Sequence, residues 1–221
     1  MFSSTTANNW EIEELETPQN RNDFKRIAKE MIKNRQDLMD SDDWVIVKDA
    51  SDFDEALIET KDIQDSNIIM TKATGFCKLR EGEDLRSLAM DIFDPTLKLK
   101  RNVLHENVVE YEKVKSVCDN IEVARMEAYC PGVTNRDFLV LRTYEKIGDT
   151  YLIAAESINH PDHPFEPNCV RGVARSGVWI SMLTGEVAQI ISIDHVDPRG
   201  WIPSMLINTL VTASGSWIEK L

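Results

Sequence analysis

The strongest hydrophobic pattern lies at the end of the chain. Ile207, Val211, Ser214 and Ile218 recur at i, i+4, i+7 and i+11, and Leu206, Leu210, Ala213 and Trp217 form a second row beside them. The spacing predicts a helix over Ile202–Leu221, roughly 30 Å long at ~1.5 Å per residue. Pro203 suits its first turn, where a missing N–H costs nothing. No charge interrupts it before Glu219. A helix apolar on most sides must be covered on most sides. An earlier helix over Asn22–Met39 is amphipathic instead. Phe24, Ile27, Met31 and Ile32 mark its buried side, and Arg21, Lys25, Arg26, Lys29, Lys33 and Arg35 a solvated one.

Between the two helices, strand patterns dominate. Asp42–Lys48 reads as a first strand, and the acidic stretch to Asp65 as a short helix or an irregular edge. Ile68–Lys78 reads as a strand with a bulge at Gly75. Asp84–Phe93 reads as a short helix closed by Asp94-Pro95. Six further strands follow over Val108–Val117, Ile121–Cys130, Arg136–Lys146, Thr150–Ile158, Val170–Leu183 and Val187–His195. Pro131-Gly132, Gly148-Asp149 and Thr184-Gly185 supply turns, and the proline-containing Asn159–Asn168 a longer loop. Consecutive antiparallel strands before a long buried helix predict an α+β fold, with a curved sheet gripping that helix. The polar stretch 1–20 reads as a flexible lead-in and 21–221 as one domain.

One strand carries the most informative polar residue. In Arg136–Arg142, Phe138, Val140 and Arg142 share one face while Leu139 and Leu141 point the other way. A strand apolar on both faces is covered on both. Arg142 then needs a carboxylate or the polar head of a ligand, because an unpaired buried charge is expensive. Glu127 on the preceding strand is the candidate partner.

Composition narrows the function. The 221 residues are 42% hydrophobic and 29% charged, with a formal net charge of −13. Such an acidic balance works against nucleic acid as a partner. No apolar run approaches the ~18 residues of a membrane span, and Met1–Thr6 lacks a signal peptide's basic start. Four widely spaced cysteines without a C-x-x-C pair give no metal or redox motif and suggest reduced, cytoplasmic thiols. His160 and His163, in a loop with two flanking prolines, do not make a tetrahedral set; they read as part of a rigid loop rimming a cavity. There is no Ser/His/Asp or Cys/His constellation and no phosphate loop, so an enzyme acting on a hydrophobic substrate is only an alternative.

Three segments in order carry a family resemblance. Asn135-Arg136-Asp137-Phe138 through Arg142 resembles the N-R-D-[FY]-x-x-x-R segment of the START (steroidogenic acute regulatory protein-related lipid transfer) domain family. Val170-Arg171-Gly172 with Gly177-Val178-Trp179 resembles its next signature. Asp197-Pro198-Arg199-Gly200-Trp201-Ile202-Pro203 with Asn208 resembles its D-x-x-G-W-[IL]-P-x-x-x-x-N helix entry. Arg101-Asn102 departs from the family, standing about where many members have Trp-Asp.

The resemblance implies a helix-grip fold enclosing a cavity for one lipid, with non-catalytic binding, transfer between membranes or lipid sensing as its role. It implies a lipid ligand, no cofactor, transient contact with a membrane surface, and a cytoplasmic monomer. A phospholipid is the expected ligand, with sterol or ceramide as alternatives; a lipid-gated interaction module is a further reading. The candidate ligand contacts are Arg142, Glu127, Tyr129, Trp179, Ile207, Val211, Ser214 and Ile218. A weak helical stretch at Ala213–Ser216 is expected to loosen as the exit.

Overall fold

The computed structural model describes residues 15–39, 41–62, 69–94, 108–164, 166, 168–203 and 215–221. Helix α1 (Arg21–Met39) begins at a reciprocal cap. The Asn20 side-chain oxygen accepts from the backbone N–H of Asn22 at 2.8 Å and Asp23 at 3.2 Å, and the Asp23 carboxylate accepts from the N–H of Asn20 at 3.2 Å. Phe24, Ile27, Ala28, Met31, Ile32 and Arg35 form its buried stripe. Arg35 is a correction: it is 1% exposed, not part of the solvated face.

Strands β1 (Val45–Lys48), β2 (Leu57–Asp62) and β3 (Ile69–Lys78) follow, then helix α2 (Leu85–Phe93). Asp84 caps α2, its carboxylate accepting from the Ser87 N–H at 2.7 Å. Next come β4 (Val108–Cys118), β5 (Ile121–Ala128), β6 (Arg136–Ile147), β7 (Thr150–Ser157), the short β8 (Val170–Arg171), β9 (Val173–Thr184) and β10 (Val187–Asp197). The acidic stretch after β1 thus contains an edge-region strand, β2. Its mixed Leu-Ile-Glu-Thr-Lys-Asp composition disguised it.

The ten strands make one curved sheet in the order β1-β2-β3-β10-β9-β7-β6-β5-β4, with β8 beside β6. All pairs on the main path are antiparallel; β8 pairs parallel to β6. Pairing of β3 with β10 joins the first strands to the last.

Alternation along the strands sorts side chains onto two faces. On the outer face, Val123, Leu139, Leu141, Leu152, Ala154, Trp179 and Ile193 pack under α1. On the inner face, Ile58, Ala73, Ile153, Ile180 and Ile190 meet α2's Leu88, Ala89, Ile92 and Phe93, together with Ile218. Strand β6 is therefore buried on both sides, as its run of apolar residues required. Each fully buried Leu or Ile contributes roughly 1.5–3 kcal/mol.

Gly75 is not a bulge. The register of β3 with β10 runs through it, pairing it with Ile190, without a shift. A Cβ at Gly75 would lie 2.6 Å from Ile218 Cγ2, so the glycine admits the C-terminal segment against the sheet. The predicted helix over 202–221 falls largely on residues outside the described set, including Ile207, Val211 and Ser214. At its described ends it is not α-helical: 201–203 are irregular, 215–217 form a turn and Ile218–Lys220 a 3-10 turn. Gly215 is buried in that turn, where a Cβ would meet Ile58 Cδ1 at 2.3 Å. Close packing, rather than weak helical propensity, is what its missing side chain serves.

Candidate ligand site on the inner face

Arg142 is the centre of a buried ionic network at one side of the inner face. Its Nη1 donates to the Tyr111 hydroxyl at 2.5 Å and to Glu122 Oε1 at 3.2 Å, and its Nη2 donates to the Ile92 carbonyl at 2.9 Å. The Tyr111 hydroxyl donates in turn to Glu122 Oε1 at 2.9 Å. Lys113 Nζ lies 3.3 Å from Glu122 Oε2 and also bonds the Asp94 carboxylate just past the end of α2. The guanidinium sits over the Phe93 ring at 5.4 Å and beside the Tyr111 ring at 5.7 Å. Two cations and two carboxylates balance one another.

The electrostatics follow from that closeness. Burial pushes the Tyr111 hydroxyl well above its ordinary value; Arg142 opposes the shift and Glu122 reinforces it. Burial works against the Lys113 ammonium, but the hydrogen bond to Asp94 and the charge of Glu122 outweigh it and raise the Lys113 pKa. The network is held from four elements: β4 supplies Tyr111 and Lys113, β5 Glu122, β6 Arg142, and the end of α2 the Ile92 carbonyl.

Glu122, not Glu127, is the acidic partner of Arg142. The register places Glu122 directly opposite Arg142 and Glu127 opposite Asp137. An even and an odd position on β5 face opposite sides, so only one of these glutamates reaches the inner face. Glu127 accepts from Asn135 at 2.7 Å and lies 3.6 Å from Arg125. Tyr129 is half exposed, beyond the end of β5. Trp179 is on the outer face, where it borders a depression with Gln36, Met39, Leu152 and Ile191 at the end of α1. Ile218 is buried on the inner face, in the same apolar cluster as Ile92 and Phe93. Tyr111, Lys113 and Asp94 were not anticipated. Tyr111 and Lys113 depend on the register of β4 against β5, which shifts at three points, and Asp94 on where α2 ends.

A second feature lies at the centre of the inner face. Ala155 on β7, Ala174, Ser176 and Val178 on β9, and Asp194 on β10 are neither covered nor solvated outright, but half-buried. Register connects this floor to the ionic network. Asp194 pairs with Ser176, Ser176 with Ala155, Ala155 with Arg142, and Arg142 with Glu122. Small side chains stand between the charged positions.

The START domain family matches residues 26–215. The chain belongs to the START domain family. START domain-containing protein 10 of Mus musculus and of Homo sapiens are each 30% identical to it over 104 residues, 46% of this chain and 36% of the relative. The match thus spans about a third of those relatives' length. The solved human StAR-related lipid transfer protein 5 superposes with a TM-score of 0.76 at 18% identity, covering 90% of this chain and 93% of that one. Human STARD10 gives 0.68 at 20% identity, covering 94% and 81%. At these identities the structures speak for the fold.

The geometry explains why the START segments of this chain read as they do. Arg136, 2% exposed, donates from Nε to the Pro198 carbonyl at 3.1 Å and from Nη2 to Arg199 and Trp201 carbonyls at 3.0 and 3.3 Å. It clamps the turn that leads to the C-terminal segment. Arg199 and Gly200 both have positive φ there, 50° and 63°. Asp137 is fully buried and pairs with Arg171 at 2.7 Å, fixing β8 beside β6. Gly172 lets the Phe138 ring approach to 2.3 Å from where a Cβ would stand. Arg35, whose pKa burial lowers to about 10 against the pull of Glu156, ties α1 to the sheet through the Ser176 carbonyl at 3.0 Å and Glu156 at 2.9 Å. The loop after β7 also meets α1: His160 stacks on Phe24 at 6.3 Å, so that part of the loop packs on the outer face instead of rimming the inner one. Among the described residues no helix is long and apolar enough to cross a membrane.

Proposed function

We propose that this START domain binds one phospholipid molecule against the inner face of its sheet and carries it between membranes. The observation that supports this reading is the half-buried floor of small side chains next to the balanced Arg142 network. The acyl chains lie against the apolar inner face, and the polar end meets Arg142, Tyr111 or Glu122. Removing a lipid from a bilayer costs about 0.8 kcal/mol per methylene, so only a comparably apolar surface offsets the transfer of a long chain. The reading involves no bond-making step. Trp201, 77% exposed beside the Arg136 clamp, is the aromatic placed to touch a membrane during exchange.

The test is transfer of a fluorescent phospholipid from donor to acceptor vesicles. The wild-type protein is expected to speed transfer in proportion to its concentration. Ala155→Trp, which fills the floor between Arg142 and Ser176, is expected to return transfer to the protein-free rate while keeping the melting transition. Transfer by Ala155→Trp at the wild-type rate would place the lipid elsewhere. If the wild type moves labelled sterol or ceramide but no phospholipid, the ligand class is revised and the inner-face site retained.

A further inference from the structure

The inner face carries a second polar position that the Arg142 network does not use. Asp194 is surrounded by protein and half-buried, like Ser176 and Ala155 beside it. Its carboxylate has one side-chain hydrogen bond among the described residues, accepted from Ser192 Oγ at 2.6 Å. Its register partners are Ser176 on β9 and Thr71 on β3, and the Thr71 hydroxyl donates to the Asp194 carbonyl at 3.4 Å. Carboxylate and hydroxyls thus form a lateral row with Ala155 and Arg142, across an otherwise apolar face. Arg35 of α1 acts on Asp194 electrostatically, and Arg175 of β9, Glu156 of β7 and Lys72 of β3 stand next to the register partners in that row. Arg175, Glu156 and Lys72 belong to the opposite alternation and Arg35 approaches from the α1 side, so none shares the face of Asp194.

We propose that Asp194, with the hydroxyls of Ser192, Ser176 and Thr71, is a second polar subsite that selects a ligand head group able to donate a hydrogen bond, an ammonium or a hydroxyl. The Arg142 network already balances its own charges. The cations of the ionic network on its face, Arg142 and Lys113, stand at least three strand spacings away and are held by Glu122 and Asp94, so a donor arriving with the ligand supplies what the protein does not place beside Asp194. The two poles stand three strand spacings apart, roughly 14 Å at ~4.8 Å per strand. That separation divides the floor into distinct stations. Burial pushes the Asp194 carboxyl up to about 6, while Ser192 and then Arg35 pull it down; a bound ammonium would lower it further. The proposal rests on the inner face being the lipid site.

The test compares lipids that differ in donor capacity alone. Delipidated protein is equilibrated with mixed vesicles of phosphatidylethanolamine and phosphatidylcholine carrying the same acyl chains, and bound lipid is counted by native mass spectrometry. The ethanolamine ammonium donates; its fully methylated counterpart cannot. A charge-assisted hydrogen bond predicts about ten-fold or greater preference for phosphatidylethanolamine. Asp194→Asn keeps the shape and should bring the ratio close to one, and Ser192→Ala should lower it in part. A third arm with diacylglycerol separates the donors: retention comparable to phosphatidylethanolamine shows that a neutral hydroxyl donor suffices, and its exclusion shows that the donor must be the N–H of a charged ammonium. Equal loading of the two phospholipids by the wild type, or a ratio unchanged by both substitutions, overturns the proposal. If the wild type takes up none of these lipids, the underlying lipid-site reading fails instead.

Discussion

Asp194 and its neighbour His195 make a pH prediction whose sign can be worked from their surroundings. Burial raises the Asp194 carboxyl from 3.8 to about 6. Burial lowers the His195 imidazole from 6.5 to about 4, with Arg175 adding to the effect. A raised carboxyl costs stability in its charged form. The folded state holds that proton longer than the unfolded chain, so stability falls as pH rises from 3.8 to 6 and stays reduced above. A lowered imidazole costs stability in its charged form too, so stability rises as pH goes from 4 to 6.5. At about 1.36 kcal/mol per pH unit, each contribution approaches about 3 kcal/mol, and across the shared window the two nearly cancel. Asp194→Asn removes one and leaves the other. The variant should be more stable than the wild type by up to about 3 kcal/mol at pH 7.5, equal to it near pH 4, and should lose stability steeply on acidification from 6.5 to 4. Urea unfolding of delipidated protein at pH 4, 5, 6 and 7.5 measures this directly. A difference between variant and wild type that does not change with pH, or a variant less stable at pH 7.5, would refute the reasoning.

Other substitutions probe the rest of the frame. Arg142→Leu strands Glu122 with Tyr111 and Lys113 alone, and should destabilise by about 3 kcal/mol in urea unfolding, the lower end for breaking a buried pair because Lys113 remains; Glu127→Gln, on the other face, should cost less than about 1 kcal/mol. Gly75→Ala forces a Cβ against Ile218 and should cost about 1–3 kcal/mol. Ile218→Ala should cost about 2–5 kcal/mol alone, and combined with Gly75→Ala the two should fall well short of additive in a double-mutant cycle. Arg136→Ala frees the carbonyls of Pro198, Arg199 and Trp201, and should raise amide hydrogen exchange across 198–203 before it changes exchange in β6. Trp201→Phe should remove most of the blue shift in tryptophan emission on adding vesicles, if that exposed ring is what meets the bilayer.

Much of the fold was legible because it depends on local pattern. Strand composition marked β4 to β7, β9 and β10 in order, although Val170–Leu183, read as one strand, divides at Gly172 into β9 and a short β8 that pairs parallel to β6. The two-sided run Phe138–Leu141 correctly announced a strand covered on both faces. Arg142 stood out because a cation in such a strand must be paired. What stayed hidden depends on register and distant approach. Glu122 and Glu127 are equally good carboxylates in the sequence, and the loop to β6 is too long to set which one faces Arg142. Arg35 looked solvated beside its basic neighbours, although its spacing from Phe24, Ala28 and Met31 is that of the buried stripe. Gly75 resembled a bulge because the approach of Ile218 comes from 143 residues away, a separation read directly from the numbering. The expected C-terminal helix and its contacts at Ile207, Val211 and Ser214 lie outside the described residues, and the segment's described end is a tight turn.

The central claim is that one lipid occupies the inner face beside Arg142. Native mass spectrometry of the purified protein, followed by solvent extraction of whatever it carries, tests that claim most directly. The account predicts a single stoichiometric lipid adduct on the wild type and none on Ala155→Trp. A wild-type protein that is empty and stays empty after incubation with mixed phospholipid vesicles, or an Ala155→Trp variant that carries the same adduct, would contradict it.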